Sequence, residues 1–397
     1  MKFYKRIASL VVSAAMLFSL SACSTGSTSP ASSQELSEAP QASSSQAPVS
    51  SAEPEQPKEV SLLMIGDDLL HEAVMDSGLQ ADGSYNYDHL FAHIQEDIDA
   101  ADIAVINQET ILGGAEFGYT GYPMFNSPQE VGDAIAKAGF DVVLHATNHT
   151  MDKKYKGVQN TLDFWKKYPE IEVLGIHESA ADQAKIPVIE KNGIEIAMLN
   201  YTYGLNGLKL PEDKPWLVDL IDKDRIASDI ERAKDLADLV VVFPHWGTEY
   251  TYEPDSNQQD LTEFFAEQGV DLVIGTHPHV IQPVERVTSS SGHEMLVYYS
   301  LGNYVSCQDK APRMLGGMAR VTIQKDPDGT ITIPEAGITP LVTHFESKNN
   351  WNYGVYKIGD YTQDLAAKHG ILRSDSSFSL EKMQQLAQQV LGDWIVP

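Results

Sequence analysis

Cysteine and positive charge are both scarce in this chain. Only two of its 397 residues are cysteine, Cys23 and Cys307. A disulfide framework and a thiolate zinc site are therefore both excluded. Lys and Arg number 28 against 56 Asp and Glu, a formal net charge of −28. Removing a leader that carries Lys2, Lys5 and Arg6 would take this to about −31. Such a surface excludes nucleic acid as a partner, because polyanion binding by counterion release needs clustered Lys and Arg. Beyond residue 22 no run is long and apolar enough to span a bilayer. What is present is a 42% hydrophobic composition, sufficient for one large domain with appendages or for two ordinary ones.

The N-terminus reads as an export signal. Lys2, Lys5 and Arg6 precede an apolar run over residues 7–20, which ends in Leu20-Ser21-Ala22-Cys23. This tetrapeptide is similar to a bacterial lipobox, which implies cleavage after residues 1–22, lipidation of Cys23 and a lipid anchor on the outer side of the cell membrane. The alternative is ordinary cleavage that leaves Cys23 unmodified. With Cys23 lipidated, Cys307 has no partner for a disulfide. Residues 23–58 are nearly all Ser, Ala, Pro, Gln, Glu and Thr, a composition that cannot bury a core and reads as a flexible tether.

From residue 59 onward, short apolar runs alternate with helical spacing. Residues 60–65, 103–106, 141–144, 239–243 and 271–274 read as buried strands. Residues 128–138, 157–167, 225–237 and 257–268 read as helices. Such alternation predicts an α/β fold, in which the carboxyl ends of parallel strands gather along one edge and form the ligand site. Residues 320–323 and 330–333 flank Asp326-Pro327-Asp328-Gly329, a hairpin signal. The main domain is expected over 59–345, followed by a C-terminal extension, 346–397, with an amphipathic helix over 379–391 packed on the outside.

The predicted strands end in polar residues: Asp67; Asn107 and Glu109; Asn148 and His149; His245; His277 and His279. Carboxylates, imidazoles and an amide oxygen are the donors that divalent Mn, Fe or Zn would use. Taken singly, each has a plain structural reading, as a turn aspartate or a satisfied histidine. Their joint position at strand ends is what points to metal. Asp152 reads either as the carboxylate that orients His149 or as a helix N-cap. Glu249 reads as an orienter of His245 or as a solvated charge. Tyr203, in Asn200-Tyr201-Thr202-Tyr203-Gly204, and the stretch Tyr122-Pro123-Met124-Phe125-Asn126 either line a substrate groove or pack. Asn107 and Asn303 are further candidates for substrate contact, with a turn cap as the alternative for Asn303.

Six motifs follow one another: Ile65-Gly66-Asp67, Asn107-Gln108-Glu109, Ala146-Thr147-Asn148-His149-Thr150-Met151-Asp152, His245-Trp246-Gly247-Thr248-Glu249-Tyr250, Gly275-Thr276-His277-Pro278-His279-Val280 and Tyr299-Ser300-Leu301-Gly302-Asn303-Tyr304. In this order they resemble the CapA family of capsule and poly-γ-glutamate synthesis, a relative of the calcineurin-like metallophosphatases. The resemblance implies a four-layer α/β/β/α sandwich of metallophosphatase type with two divalent ions. By analogy Asp67 and His279 hold one ion, Asn148, His245 and His277 hold the other, Glu109 bridges them, and His149 is the general acid. The Asp-x-His opening of a standard metallophosphatase is missing, since Asp68 and Leu69 follow Asp67. Either Asp68 or His71 supplies that ligand, or the first metal position is weak or empty.

The resemblance implies a factor in making, exporting or anchoring an anionic envelope polymer, working with membrane proteins of polymer synthesis. The chain has no Gly-x-x-x-x-Gly-Lys-Ser/Thr loop, so activation for amide synthesis would come from elsewhere. The ligand set alone reads as a phosphoesterase of the envelope, and a third reading is a non-catalytic binding or assembly component.

Overall fold

A computed structural model describes residues 56–346 and 352–397. The expected leader over 1–22, the Cys23 anchor and nearly all of the tether lie outside the described residues. Each predicted strand is present, and several extend beyond their apolar runs. Strands β1 (Lys58–Asp68), β2 (Ile103–Gln108), β3 (Val142–Leu144) and β4 (Glu172–Leu174) run parallel in one sheet. The chain then builds a second sheet from β5 (Val188–Lys191), β6 (Ile194–Thr202), β7 (Leu239–His245), β8 (Leu272–Ile274), β9 (Val284–Thr288) and β10 (Glu294–Tyr298), in the order β5-β6-β7-β8-β10-β9. It returns to the first sheet with β11 (Asn303–Val305), β12 (Leu315–Lys325), β13 (Ile331–Phe345) and β14 (Tyr353–Lys357). β11 lies parallel to the end of β1, while β12 pairs antiparallel along its length.

Period-2 alternation explains why two sheets stack. In β7, Leu239, Val241 and Phe243 enter a core shared with Leu62, Met64, Val105 and Val143 of the first sheet. Val240 and Val242 point the other way, into a cluster with Ile226, Ile230, Leu261 and Phe265. Those four residues belong to helices Lys223–Lys234 and Ser256–Gln268, which cover the outer face of the second sheet. The second of these helices begins with a capping box between Asp255 and Gln258. Helices Glu130–Ala138 and Lys154–Trp165 contribute Val131, Ile135 and Phe164 to the core of the first sheet. The result is the expected mixed α/β fold, two sheets flanked by helices.

The predicted hairpin is the turn between β12 and β13, two strands much longer than the apolar runs alone suggested. Residues 352–397 add β14 to the first sheet, and helix Leu380–Leu391 buries Leu380, Met383, Ala387 and Leu391 in the same core. No helix among the described residues is long and apolar enough to cross a membrane.

Candidate metal centre

The carboxyl ends of β1, β2, β3, β7 and β8 deliver their polar residues to one place between the sheets. Two glycines make the approach possible. A Cβ on Gly66 would lie 2.0 Å from the Gly302 carbonyl, and one on Gly275 would lie 2.2 Å from that of Tyr299. Asp67 N–H donates to that Gly302 carbonyl at 3.0 Å, which sets the Asp67 loop against the Asn303 loop. After β8, His277 and His279 adopt left-handed φ of 99° and 57°, a conformation that is unfavourable by about 1–2 kcal/mol for L-residues. Their ring centroids lie 5.7 Å apart.

Glu109, at the end of β2, sits between two histidines: its Oε1 is 3.8 Å from His245 Nε2 and 3.7 Å from His279 Nε2. It is buried, and among the described residues neither of its oxygens has a hydrogen-bond partner. Burial drives its carboxyl well above the usual range. His277 Nδ1 is likewise buried without a partner. Donor atoms of Glu109, His245 and His277 all lie within 4.8 Å of one another, and so do those of Asp67, Glu109 and His279. Glu109 is thus shared by both groups. Buried, unpartnered carboxylate and imidazole donors facing one volume fit hard-to-borderline divalent ions.

The surrounding hydrogen bonds orient the donors. His279 Nδ1 lies 3.0 Å from Asp67 Oδ2 and 2.9 Å from Asn303 Oδ1, leaving Nε2 toward Glu109. Burial alone would lower the His279 imidazole, but the Glu109 and Asp67 carboxylates outweigh it and lift the group to about 9. His245 Nδ1 faces Thr276 Oγ1 at 3.0 Å, and its Nε2 is 3.1 Å from Asn148 Oδ1. Burial and the neighbouring imidazoles hold His245 and His277 well below the ordinary histidine value, in the neutral form that ligates metals. Asp152 Oδ2 faces His149 Nδ1 at 2.8 Å and accepts the Phe125 N–H at 2.7 Å. Asp152 therefore orients His149, and the helix that follows, Lys154–Trp165, has Lys153 as its N-cap instead.

Several candidates take other places. Asp68 is buried beside Tyr87 and Tyr304 with both oxygens unpartnered, and burial pushes it up to about 8. The strand pleat sends its side chain away from that of Asp67. His71 Nδ1 accepts the Cys307 N–H at 3.3 Å, and its ring packs on Phe125. Neither joins a ligand group. Asn107 and Asn303 are fully buried behind the ligands: Asn107 Nδ2 donates to Asp67 Oδ1 at 2.9 Å, and Asn303 faces His279. Tyr203 is on the rim, half exposed, its ring 4.6 Å from that of His277. Tyr122 and Tyr250 are also exposed at the rim, and Arg313 lies 3.6 Å over the Tyr250 ring.

Two residues have roles that sequence reasoning did not assign. Glu249 groups with His277 and His279 rather than orienting His245, a neighbour set by the left-handed turn and invisible in linear spacing. Asn200 accepts the Ala146 N–H at 2.8 Å and donates to the Phe243 carbonyl at 2.8 Å, strapping two ligand-bearing loops together. A buried amide at a strand end was its only signal.

The model of the bacterial capsule synthesis protein family PGA_cap matches residues 61–308, more than half of the chain. The chain belongs to that family. Its relatives include the capsule biosynthesis protein CapA of Bacillus anthracis, 28% identical over 62% of this chain and 60% of that protein. The PGA biosynthesis protein CapA of Bacillus subtilis (strain 168) is 30% identical over 52% of this chain and 51% of its own length. The chain thus spans 51–60% of the length of these curated relatives. Among solved structures it is similar to the NAD nucleotidase NadN of Haemophilus influenzae, at 12% identity and a TM-score of 0.46 over 84% of this chain and 67% of that one. At that identity and score the likeness carries no functional argument. All six motifs lie within the family match.

Proposed function

We propose that this protein is a lipid-anchored envelope factor of capsule or poly-γ-glutamate polymer assembly whose cleft is a dinuclear, hydrolase-type metal site. The observation that carries this reading is the Glu109 carboxylate, buried without a partner and shared by two groups of metal-competent donors. In this reading Asp67 and His279 would hold one ion and Asn148, His245 and His277 the other, with Glu109 within reach of both donor groups. Bound divalent ions of this kind supply an activated water and neutralise charge on a phosphorus or carbonyl centre. The protein's own residues do the rest. Asp152 holds His149 at Nδ1, so Nε2 is the atom that passes a proton to the leaving oxygen. Tyr203 and Tyr250 flank the His277-Pro278-His279 turn, and Arg313 on Tyr250 offers a cation to an anionic substrate group. In a chain of net charge −28, an anionic polymer or phosphoester would be held through such local contacts rather than by general attraction. Cys23 would supply the membrane attachment.

The test is complementation. A strain lacking the gene is given either the wild-type chain or His245→Ala/His277→Ala, and surface polymer is measured. Restoration by the wild type alone supports the reading, whereas equal restoration by the double variant removes the metal site from the function. A second reading, a binding or assembly component with at most one ion, has one observation in its favour. The Asp67 side gains no ligand from Asp68 or His71.

A further inference from the structure

We infer that Asn206, which lies outside all six motifs, is a positioning residue that fixes which end of the Asn148 amide faces the metal cleft. This rests on the metal reading above. An asparagine side chain has an acceptor end and a donor end of nearly equal size, and only the oxygen ligates a metal ion. At position 148 the oxygen end is the one on the cleft side. Oδ1 lies 3.1 Å from His245 Nε2, on the cleft side, while Nδ2 donates to Asn206 Oδ1 at 3.2 Å. Asn206 thus presents an acceptor where a flipped Asn148 would present a second oxygen, and the flipped amide would lose that bond. The other end of Asn206 faces the acid: its Nδ2 lies 3.4 Å from His149 Nδ1 and 3.5 Å from Nε2. A single exposed side chain therefore touches both a ligand and its catalytic neighbour.

The fold holds Asn206 there from below. Leu205 is buried in a cluster with Ile111, Ala146 and Leu217, anchoring the turn against the loop that carries Asn148. Asn206 and Gly207 follow with left-handed φ of 50° and 78°. Asparagine tolerates that region better than most residues, so a purely conformational role is the competing explanation. The two roles separate cleanly by substitution. Asn206→Gly keeps the left-handed turn and removes the amide. Asn206→Asp keeps an acceptor for Asn148 Nδ2 and removes the donor facing His149. Tyr203 also hydrogen-bonds Asn148, so the loss in the glycine variant is expected toward the lower end for a residue that orients a ligand.

The experiment is calorimetric titration of Mn²⁺, and separately of Zn²⁺, into the full chain, its Asn206→Gly form and its Asn206→Asp form. Asn206→Gly is expected to bind the ion about tenfold or more weaker, within the roughly 10–100-fold range for such partners, and Asn206→Asp to stay within about threefold of wild type or bind tighter. Wild-type affinity in Asn206→Gly would overturn the inference and leave the metal reading intact, as would an equal loss in both variants. A wild-type chain that takes up neither ion overturns the metal reading itself, and the inference with it.

Discussion

His145 begins the loop that carries Asn148 and His149, yet it is a structural histidine, and its burial in the neutral form should make the protein less stable in mild acid. It is fully enclosed: Nε2 accepts the Trp165 indole N–H at 2.8 Å, and the ring also hydrogen-bonds the Gln108 backbone. Burial lowers it to about 3, against a weaker upward pull from that backbone bond. The unfolded chain takes up this proton near pH 6.5 and the native one does not, so stability is intact above 6.5 and falls as pH drops toward 3. The slope is about 1.4 kcal/mol per pH unit. Between pH 7 and pH 4.5 this single group removes about 3 kcal/mol, a large share of the roughly 5–15 kcal/mol that holds a domain together. His145→Gln offers the indole an amide acceptor that does not titrate. Guanidinium denaturation of both forms with chelator present, at pH 7 and pH 4.5, isolates the effect, because every other histidine contributes equally to both. The variant should gain about 3 kcal/mol on the wild type over that interval. A stability difference that does not change with pH would refute the reasoning.

Metal uptake should itself depend on pH. Glu109 and His279 face each other at 3.7 Å, and the carboxylate lifts the imidazole to about 9, so the pair shares a proton that an ion must displace. Affinity should rise with pH up to about 9, roughly tenfold per unit for each proton released, and calorimetry in buffers of different ionisation heat would count those protons. Asp68→Asn should keep wild-type metal content while stabilising the protein at pH 8–9 by about 1–3 kcal/mol, because it replaces an unpartnered buried carboxylate. Loss of an ion in that variant would make Asp68 a ligand after all. With bis-p-nitrophenyl phosphate as probe, His149→Ala should lower kcat by about 10²–10⁴ with metal content unchanged. Full activity in that variant would remove His149 from proton transfer.

The strands that reach the cleft were legible because β2, β3, β7 and β8 each hold a short apolar run that ends shortly before a donor. β7 illustrates this, from Leu239 to His245. The pleat also carried information that spacing arguments underuse: adjacent strand residues tend to face opposite ways, and Asp67 meets His279 while Asp68 lies beside Tyr87 and Tyr304. Contacts made by irregular backbone were not legible. Asn107 and Asn303 read as candidates for substrate contact, and only the packing of β1 against β11 shows them buried behind Asp67 and His279. Glu249 and Asn206 reach the cleft through turns with left-handed backbone at Tyr250 and at Asn206 itself, which neither a period of 2 nor one of 3.6 can reveal. The length of β13 was hidden by Pro334, Glu335 and Pro340, residues that interrupt its apolar pattern.

Elemental analysis of the full chain after exposure to Mn, Fe and Zn, beside His245→Ala/His277→Ala, tests the shared Glu109 site most directly. About two equivalents of a divalent ion in the wild type, lost in the double variant, is the result predicted for a dinuclear centre. Wild-type protein that stays metal-free, or a double variant that keeps its metal, would contradict it.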